Sequence, residues 1–159
     1  MKMFLKVAIW IPVILMAITI FGFSAQNGSQ SSGMSRKVAE LILDCGESTG
    51  VVHVEPAKRE GYISMLQTPI RKGAHMSEYA VFCVLVFIAL TVNQVKIKLR
   101  YKITFAITFL FACSDEIHQL YVPYRSGRFT DVLIDMSGCL IAMALIFLVQ
   151  KHLRKKQLA

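Results

Sequence analysis

Lys72, His75, Glu78 and Tyr79 recur at helical spacing in the stretch Arg71-Lys-Gly-Ala-His-Met-Ser-Glu-Tyr79. Side chains three and four positions apart meet on one helix face, so a cation, a base, an acid and a phenol can address the same space. A second stretch, Ser114-Asp-Glu-Ile-His-Gln119, sets Asp115 before His118 and Gln119 at the same spacings, with Glu116 alongside. A third opens with Asp131 and Asp135 and continues with Gly138 and Ala142, small residues that let a neighbouring helix come close. Arg125 and Arg128 stand between the second and third. One chemistry these types serve is anion binding: Arg and Lys hold phosphate or carboxylate, and the carboxylates orient those cations or act as acid and base. His75-x-x-Glu78 and Asp115-x-x-His118 also have the form of metal-ligand pairs in helical bundles. Four nearby basic residues would repel a metal unless paired, so neither a metal nor a cofactor is expected. A proton relay is a third chemistry for Asp, Glu and His at membrane depth. The polar clusters reach only one end of the apolar runs, which counts against transport. Each charge could also serve only to pair helices in register, and buried ion pairs are weak signs of activity. For the whole set that reading is poor, because burying so many charges is costly.

The elements that must carry these residues follow from composition. The 159 residues are 55% hydrophobic and only 18% charged, with mean hydropathy +0.52. That excludes a disordered chain, a coiled coil or a disulfide scaffold. The expected fold class is all-α: an integral membrane four-helix bundle forming one domain over 1–159, with spans about 7–25, 73–94, 103–121 and 130–150. The first apolar run has the basic start of a signal peptide, but bulky Phe23 spoils a cleavage site after Ala25. An uncleaved helix, kinked by Pro12, is expected instead. The four cysteines form no Cys-x-x-Cys pair and are expected to pack as small apolar residues.

Net charge is +8, which flanking of membrane spans explains better than nucleic-acid binding; no nucleic-acid partner is expected. Ten basic residues would share one side of the membrane: Lys2, Lys6, Lys96, Lys98, Arg100, Lys102, Lys151, Arg154, Lys155 and Lys156. The positive-inside rule then places both termini in the cytoplasm and the loops at 26–71 and 122–128 outside. In the longer loop, Gln26–Gly33 reads as a polar linker. A short amphipathic helix is expected after it, with Ser35 as N-cap and Val38, Leu41, Ile42 and Cys45 on its apolar side.

With that topology Glu78 lies roughly 10 Å below the outer boundary at Arg71. Asp115 and Glu116 end the third span near the outside, and Asp131 and Asp135 open the fourth there. The clusters therefore reach similar depths and predict one polar site in the outer half of the bundle, rimmed by Arg71, Lys72, Arg125 and Arg128. His75, Glu78, Asp115 and Glu116 are the candidates for hydrogen bonding or acid–base catalysis. Lys72, Tyr79, Gln119, Arg125, Arg128, Asp131 and Asp135 are the candidates for ligand binding.

These segments together resemble the VanZ-like family of bacterial membrane proteins, named for a teicoplanin-resistance protein. Phe23-Ser-Ala-Gln26 is similar to the family's segment after its first helix. Arg71 to Tyr79 resembles its Lys-x-x-His-x-x-Glu-Tyr signature. Ser114 to Gln119, Arg125 to Arg128 and Asp131 to Gly138 resemble the remainder in order and spacing. The resemblance implies about four membrane helices and, for the founding member, resistance to teicoplanin-like glycopeptides. It implies no defined reaction, so whether the chain is an enzyme stays open. The expected function is a multi-pass cell-membrane protein that binds or modifies an anionic lipid-linked envelope group in the outer leaflet. Its partner would be a membrane lipid or a lipid-linked wall precursor, or a glycopeptide antibiotic. The alternatives are a non-catalytic binder or shield for lipophilic glycopeptides or wall precursors, a metal-dependent intramembrane hydrolase, and a proton-coupled transporter. Loss of function on mutating apolar groove residues would favour the second; bound metal, the third; uptake by proteoliposomes, the fourth.

Overall fold

The computed structural model describes residues 3–125 and 127–157, without the side chains of Gln30 and Gln157. Lys2, counted above with the basic flanks, and Ser126, within the Arg125–Arg128 segment, lie outside the described residues. The chain is 84% helical with no strands among the described residues. Its helices are α1 (Met3–Ala8), α2 (Ile11–Ser24), α3 (Gly28–Ser48), α4 (Arg59–Val92), α5 (Ile97–Gln119) and α6 (Phe129–Gln157), with a short 3-10 turn at Pro56–Lys58.

Among the described residues three stretches are long and apolar enough to cross a membrane: Met3–Ser24, Pro56–Val92 and Phe129–Lys156. The third expected span falls within α5, which is long enough but carries charge at both ends. Its uncharged run, between Lys102 and Asp115, covers only about 18 Å of a hydrocarbon core of about 30 Å. Its polar residues turn inward: Thr104, Thr108, Asp115, Glu116 and Gln119 are all buried against the bundle.

Several expected boundaries move. The first run is broken, not kinked: a turn at Ile9–Trp10 separates α1 from α2, and Pro12 sits in the first turn of α2. Proline has no N–H to extend a helix through Ala8 and is tolerated only where that donor is unused. α4 starts at Arg59, far ahead of the expected span at 73, and runs through Pro69. The missing N–H leaves the Met65 carbonyl without its helical donor, but Met65 is exposed and water can replace it. What holds this extension is packing: Ile63 joins Ala39, Leu43 and Val54 in a small second core, with Leu66 and Ile70 against it.

The amphipathic helix is longer than expected and begins within the supposed linker, at Gly28. Ser35 is therefore not an N-cap; its hydroxyl lies mid-helix and donates to the Ser31 carbonyl at 3.1 Å. The inward face is Ser31, Ser35, Ala39 and Leu43, while Val38, Leu41 and Ile42 are exposed. α3 thus covers α4 with one side and presents an apolar outer side, a form suited to a membrane surface. Ion pairs fasten it to α4: Arg36 to Glu60 at 2.6 Å, and Arg59 to Asp44 and to Glu47.

The main core lies where α4 crosses α6. Cys83 and Cys139 are fully buried there, their sulfurs 3.4 Å apart. Gly138 lies so close to α4 that a Cβ would overlap the backbone carbonyl of Met76. This contact sets His75 of α4 beside Asp135 of α6 and so begins the polar site.

Candidate functional site: a charged cavity at one end of the bundle

A cavity of about 310 Å³ opens between α4, the end of α5, the 120–128 loop and the start of α6. The structure brings together in its wall eight of the residues singled out from sequence: Lys72, His75, Glu116, Gln119, Arg125, Arg128, Asp131 and Asp135. Arg71 lines it too, as do Thr68 and Tyr124, which sequence reasoning missed. Four other residues singled out from sequence stand elsewhere. Tyr79 and Asp115 are completely buried and do not reach the cavity wall. Glu78 faces a smaller neighbouring groove. His118 turns toward Phe21, with ring centroids 5.2 Å apart.

The acids differ in how they are engaged. Asp131 lies 3.4 Å from the Lys72 ammonium. Glu116 accepts the Arg128 backbone N–H at 2.7 Å. Gly127 makes that approach practicable, since a Cβ there would overlap the Glu116 carbonyl. Glu78 is 3.5 Å from His75 Nδ1, an ion-pair distance without hydrogen-bond alignment. Asp135 is 2% exposed, faces the cavity and makes no hydrogen bond or ion pair among the described residues.

The basic residues divide in the same way. Arg125 is largely occupied by the backbone. Its Nε donates to the Gln26 carbonyl at 3.0 Å and a terminal nitrogen donates to the Phe23 carbonyl at 3.1 Å. These carbonyls lie at and just beyond the C-terminal end of α2, where a cation also meets the negative end of the helix dipole. Burial, and then the charge of Arg71 nearby, lower the Arg125 guanidinium from its ordinary value. The guanidiniums of Arg71 and Arg128 face the cavity with no hydrogen-bond or ion-pair partner among the described residues. Two cations lining one cavity, with donors unspent, favour an anion between them.

Tyr124 has φ 60°, an uncommon conformation for a residue with a side chain. It lets the loop fold back on α3, where the Tyr124 carbonyl lies against Gly28. That fold carries Arg125 to α2.

Beneath the cavity, Asp115 accepts a hydrogen bond from the Ser24 hydroxyl at 2.7 Å and a longer one from Gln119 at 3.3 Å. Ser24 also escaped the sequence reading. Its signal was its place in the Phe23-Ser-Ala-Gln26 segment, which carries no chemistry until α2 packs on α5. Ser24→Ala is expected to cost about 1–3 kcal/mol by stripping a buried acceptor of its best donor. A lowered thermal midpoint in detergent would register this; an unchanged midpoint would count against the bond's importance.

Among the described residues no three His, Cys, Asp or Glu side chains converge as metal ligands. The His75–Glu78 and Asp115–His118 pairs therefore remain apart, because His118 faces α2.

The fold and cavity together define an all-α protein of membrane type, with charged residues gathered at one end of an apolar bundle. The chain belongs to the VanZ/LLP1 family, whose family model matches residues 9–150. The matched region contains every residue of the cavity. Comparison with curated proteins and with solved structures returned no match.

Proposed function

We propose that this chain is a four-span envelope protein whose cavity faces outward and binds the anionic head group of a membrane lipid or lipid-linked wall precursor. The observation that carries the reading is the pair Arg71 and Arg128, cationic, cavity-facing and unpaired. Lys72 neutralises Asp131, and the engaged acids leave these two guanidiniums as the anion's natural contacts. His75 and Glu78 form a base–acid pair beside the bound group, able to accept or donate a hydrogen bond. Binding is the part of this role that the residues support best. For glycopeptides, occupation of such lipids would lower the action of a membrane-anchored drug, and resistance to teicoplanin is the corresponding cellular effect.

Orientation rests on the basic end. Asn93 at the end of α4 donates to the Lys6 carbonyl at 3.2 Å. Lys98 shares a groove with Lys151, Arg154 and Lys155. The basic residues of α1, the α4–α5 turn and the end of α6 thus gather at one end of the bundle. From His75 to Asn93 the helical rise is about 27 Å, close to the hydrocarbon thickness. A cytoplasmic basic end puts the cavity on the opposite side. An impermeant maleimide applied to intact cells is then expected to label the exposed Cys45, and a Cys45→Ser chain to stay dark. Labelling only after permeabilisation would reverse the orientation.

The binding test uses purified protein reconstituted with equal phosphatidylglycerol and phosphatidylcholine, followed by mass spectrometry of retained lipid. Phosphatidylglycerol is expected to be enriched. Arg71→Ala combined with Arg128→Ala is expected to lower that enrichment at least about tenfold, since each charged hydrogen bond is worth about 1.5–3 kcal/mol. Equal retention of both lipids by the unaltered protein would defeat the proposal.

A further inference from the structure

A second space adjoins the charged cavity. It is a groove of about 120 Å³ between α3, α4 and the end of α2. Phe23, Met34, Val38, Ile70 and Ala74 supply its apolar wall. Met34 and Val38 are also exposed on the outside of α3, so the groove opens sideways. Arg71, His75 and Arg125 belong to both spaces. A molecule that fills both must change from polar to apolar at those three residues. In the polar space, beside His75, stands Asp135, an acceptor that is nearly fully buried and makes no hydrogen bond or ion pair among the described residues. It asks for a donor.

We infer that the ligand is a phosphodiester lipid: phosphate at Arg71 and Arg128 beside His75, hydrocarbon leaving between α3 and α4, and a head-group hydroxyl or amine reaching Asp135. This rests on the head-group reading above and adds the route and the bond arrangement. The charge order agrees. Arg71 meets the phosphate with unspent donors, while the carboxylate of Asp135 meets the only part of such a lipid that can donate. A phosphate monoester has no alcohol to extend to Asp135, and a choline head has no donor. The groove is short and holds only the first carbons of a chain, with the rest continuing into the bilayer past the apolar outer face of α3. Glycerol, ethanolamine and sugar head groups share the required chemistry.

The experiment uses the full chain in phosphatidylcholine vesicles containing phosphatidylglycerol with a diazirine near the carboxyl end of one acyl chain. Irradiation and peptide mapping are expected to place cross-links within 23–38 and 70–78. Phosphatidylglycerol should compete for the site about tenfold better than phosphatidic acid of the same chains, the worth of one hydrogen bond to a charged group. Asp135→Ala should reduce that preference toward unity; Asp135→Asn, which keeps an acceptor, should retain part of it. Cross-links confined to the α5–α6 groove near Tyr101 and Phe147 would overturn the inference. If phosphatidylglycerol enrichment and its loss in the Arg71 and Arg128 variant persisted alongside such a map, the head-group proposal would survive without this route. No preference for phosphatidylglycerol over phosphatidylcholine would remove both.

Discussion

Replacing Gly138 with valine is expected to remove most of the folded protein. The Cβ of any residue there overlaps the carbonyl oxygen and carbon of Met76. Those are backbone atoms of α4, held within its helical ladder, and cannot rotate aside as a side chain would. α6 would have to move away from α4 along the most extensive helix contact in the molecule. Overpacking of a tight interface costs about 1–3 kcal/mol even where side chains can yield, and here they cannot. The displacement would also part His75 from Asp135, so any surviving protein should have lost its lipid preference. Gly138→Ala should act in the same direction with a smaller effect. Gly33→Ala and Gly61→Ala are the controls: both are helical positions with open space around the added carbon. Each should be neutral or stabilise by about 0.5–1 kcal/mol, because alanine loses less backbone freedom than glycine. Thermal unfolding in detergent, with the monodisperse fraction from size exclusion, measures all four. A stable Gly138→Val chain would mean that α4 and α6 are not packed as described.

Arg125→Ala should produce the second large loss, and for a reason that its position on the cavity rim conceals. Its donors are spent on the Phe23 and Gln26 carbonyls. Removing them leaves the part-buried Gln26 carbonyl without this donor, at about 1.5–3 kcal/mol for a charged donor, while the Phe23 carbonyl keeps the Gln26 N–H. The 120–128 loop would lose its fastening to α2, and Arg128 and Gly127 travel with that loop. Lipid preference is therefore expected to fall together with thermal stability. Arg71→Ala, which breaks no hydrogen bond or ion pair among the described residues, should lower lipid preference and leave the midpoint nearly unchanged. Arg125→Lys separates charge from geometry. A lysine keeps the positive end but cannot span two carbonyls as the guanidinium does, so it should recover part of the stability. Full recovery would reduce the role of Arg125 to its charge.

Depth could be read from the chain alone because helical rise is constant. Once the apolar runs are helices, counting residues from each end gives a height. Heights put Glu78, Asp115, Glu116, Asp131 and Asp135 in one layer. Rotation about each helix axis was not available from counting. Asp115 and Glu116 are neighbours in sequence and equally acidic, yet Asp115 is sealed against Ser24 and only Glu116 lines the cavity. Along α4, His75 reaches the cavity while Glu78 turns to the groove and Tyr79 to the interior. These differences depend on which neighbour each face meets.

The same division runs through the fold. Apolar composition and the spacing of polar residues are properties of short stretches of chain, and they were enough for an all-helical class, the family likeness and the set of polar residues. Where α3 and α4 begin was decided by distant partners: Ile63 and Leu43 bury each other, and that burial carries the helix through Pro69. Whether a cation is free or committed was decided in the same way. Arg125 and Arg71 look alike in the sequence, but only one meets the carbonyl end of another helix. Local interactions specify helices because each backbone bond closes within a turn. Side-chain commitments close across the bundle, and so only packing settles them.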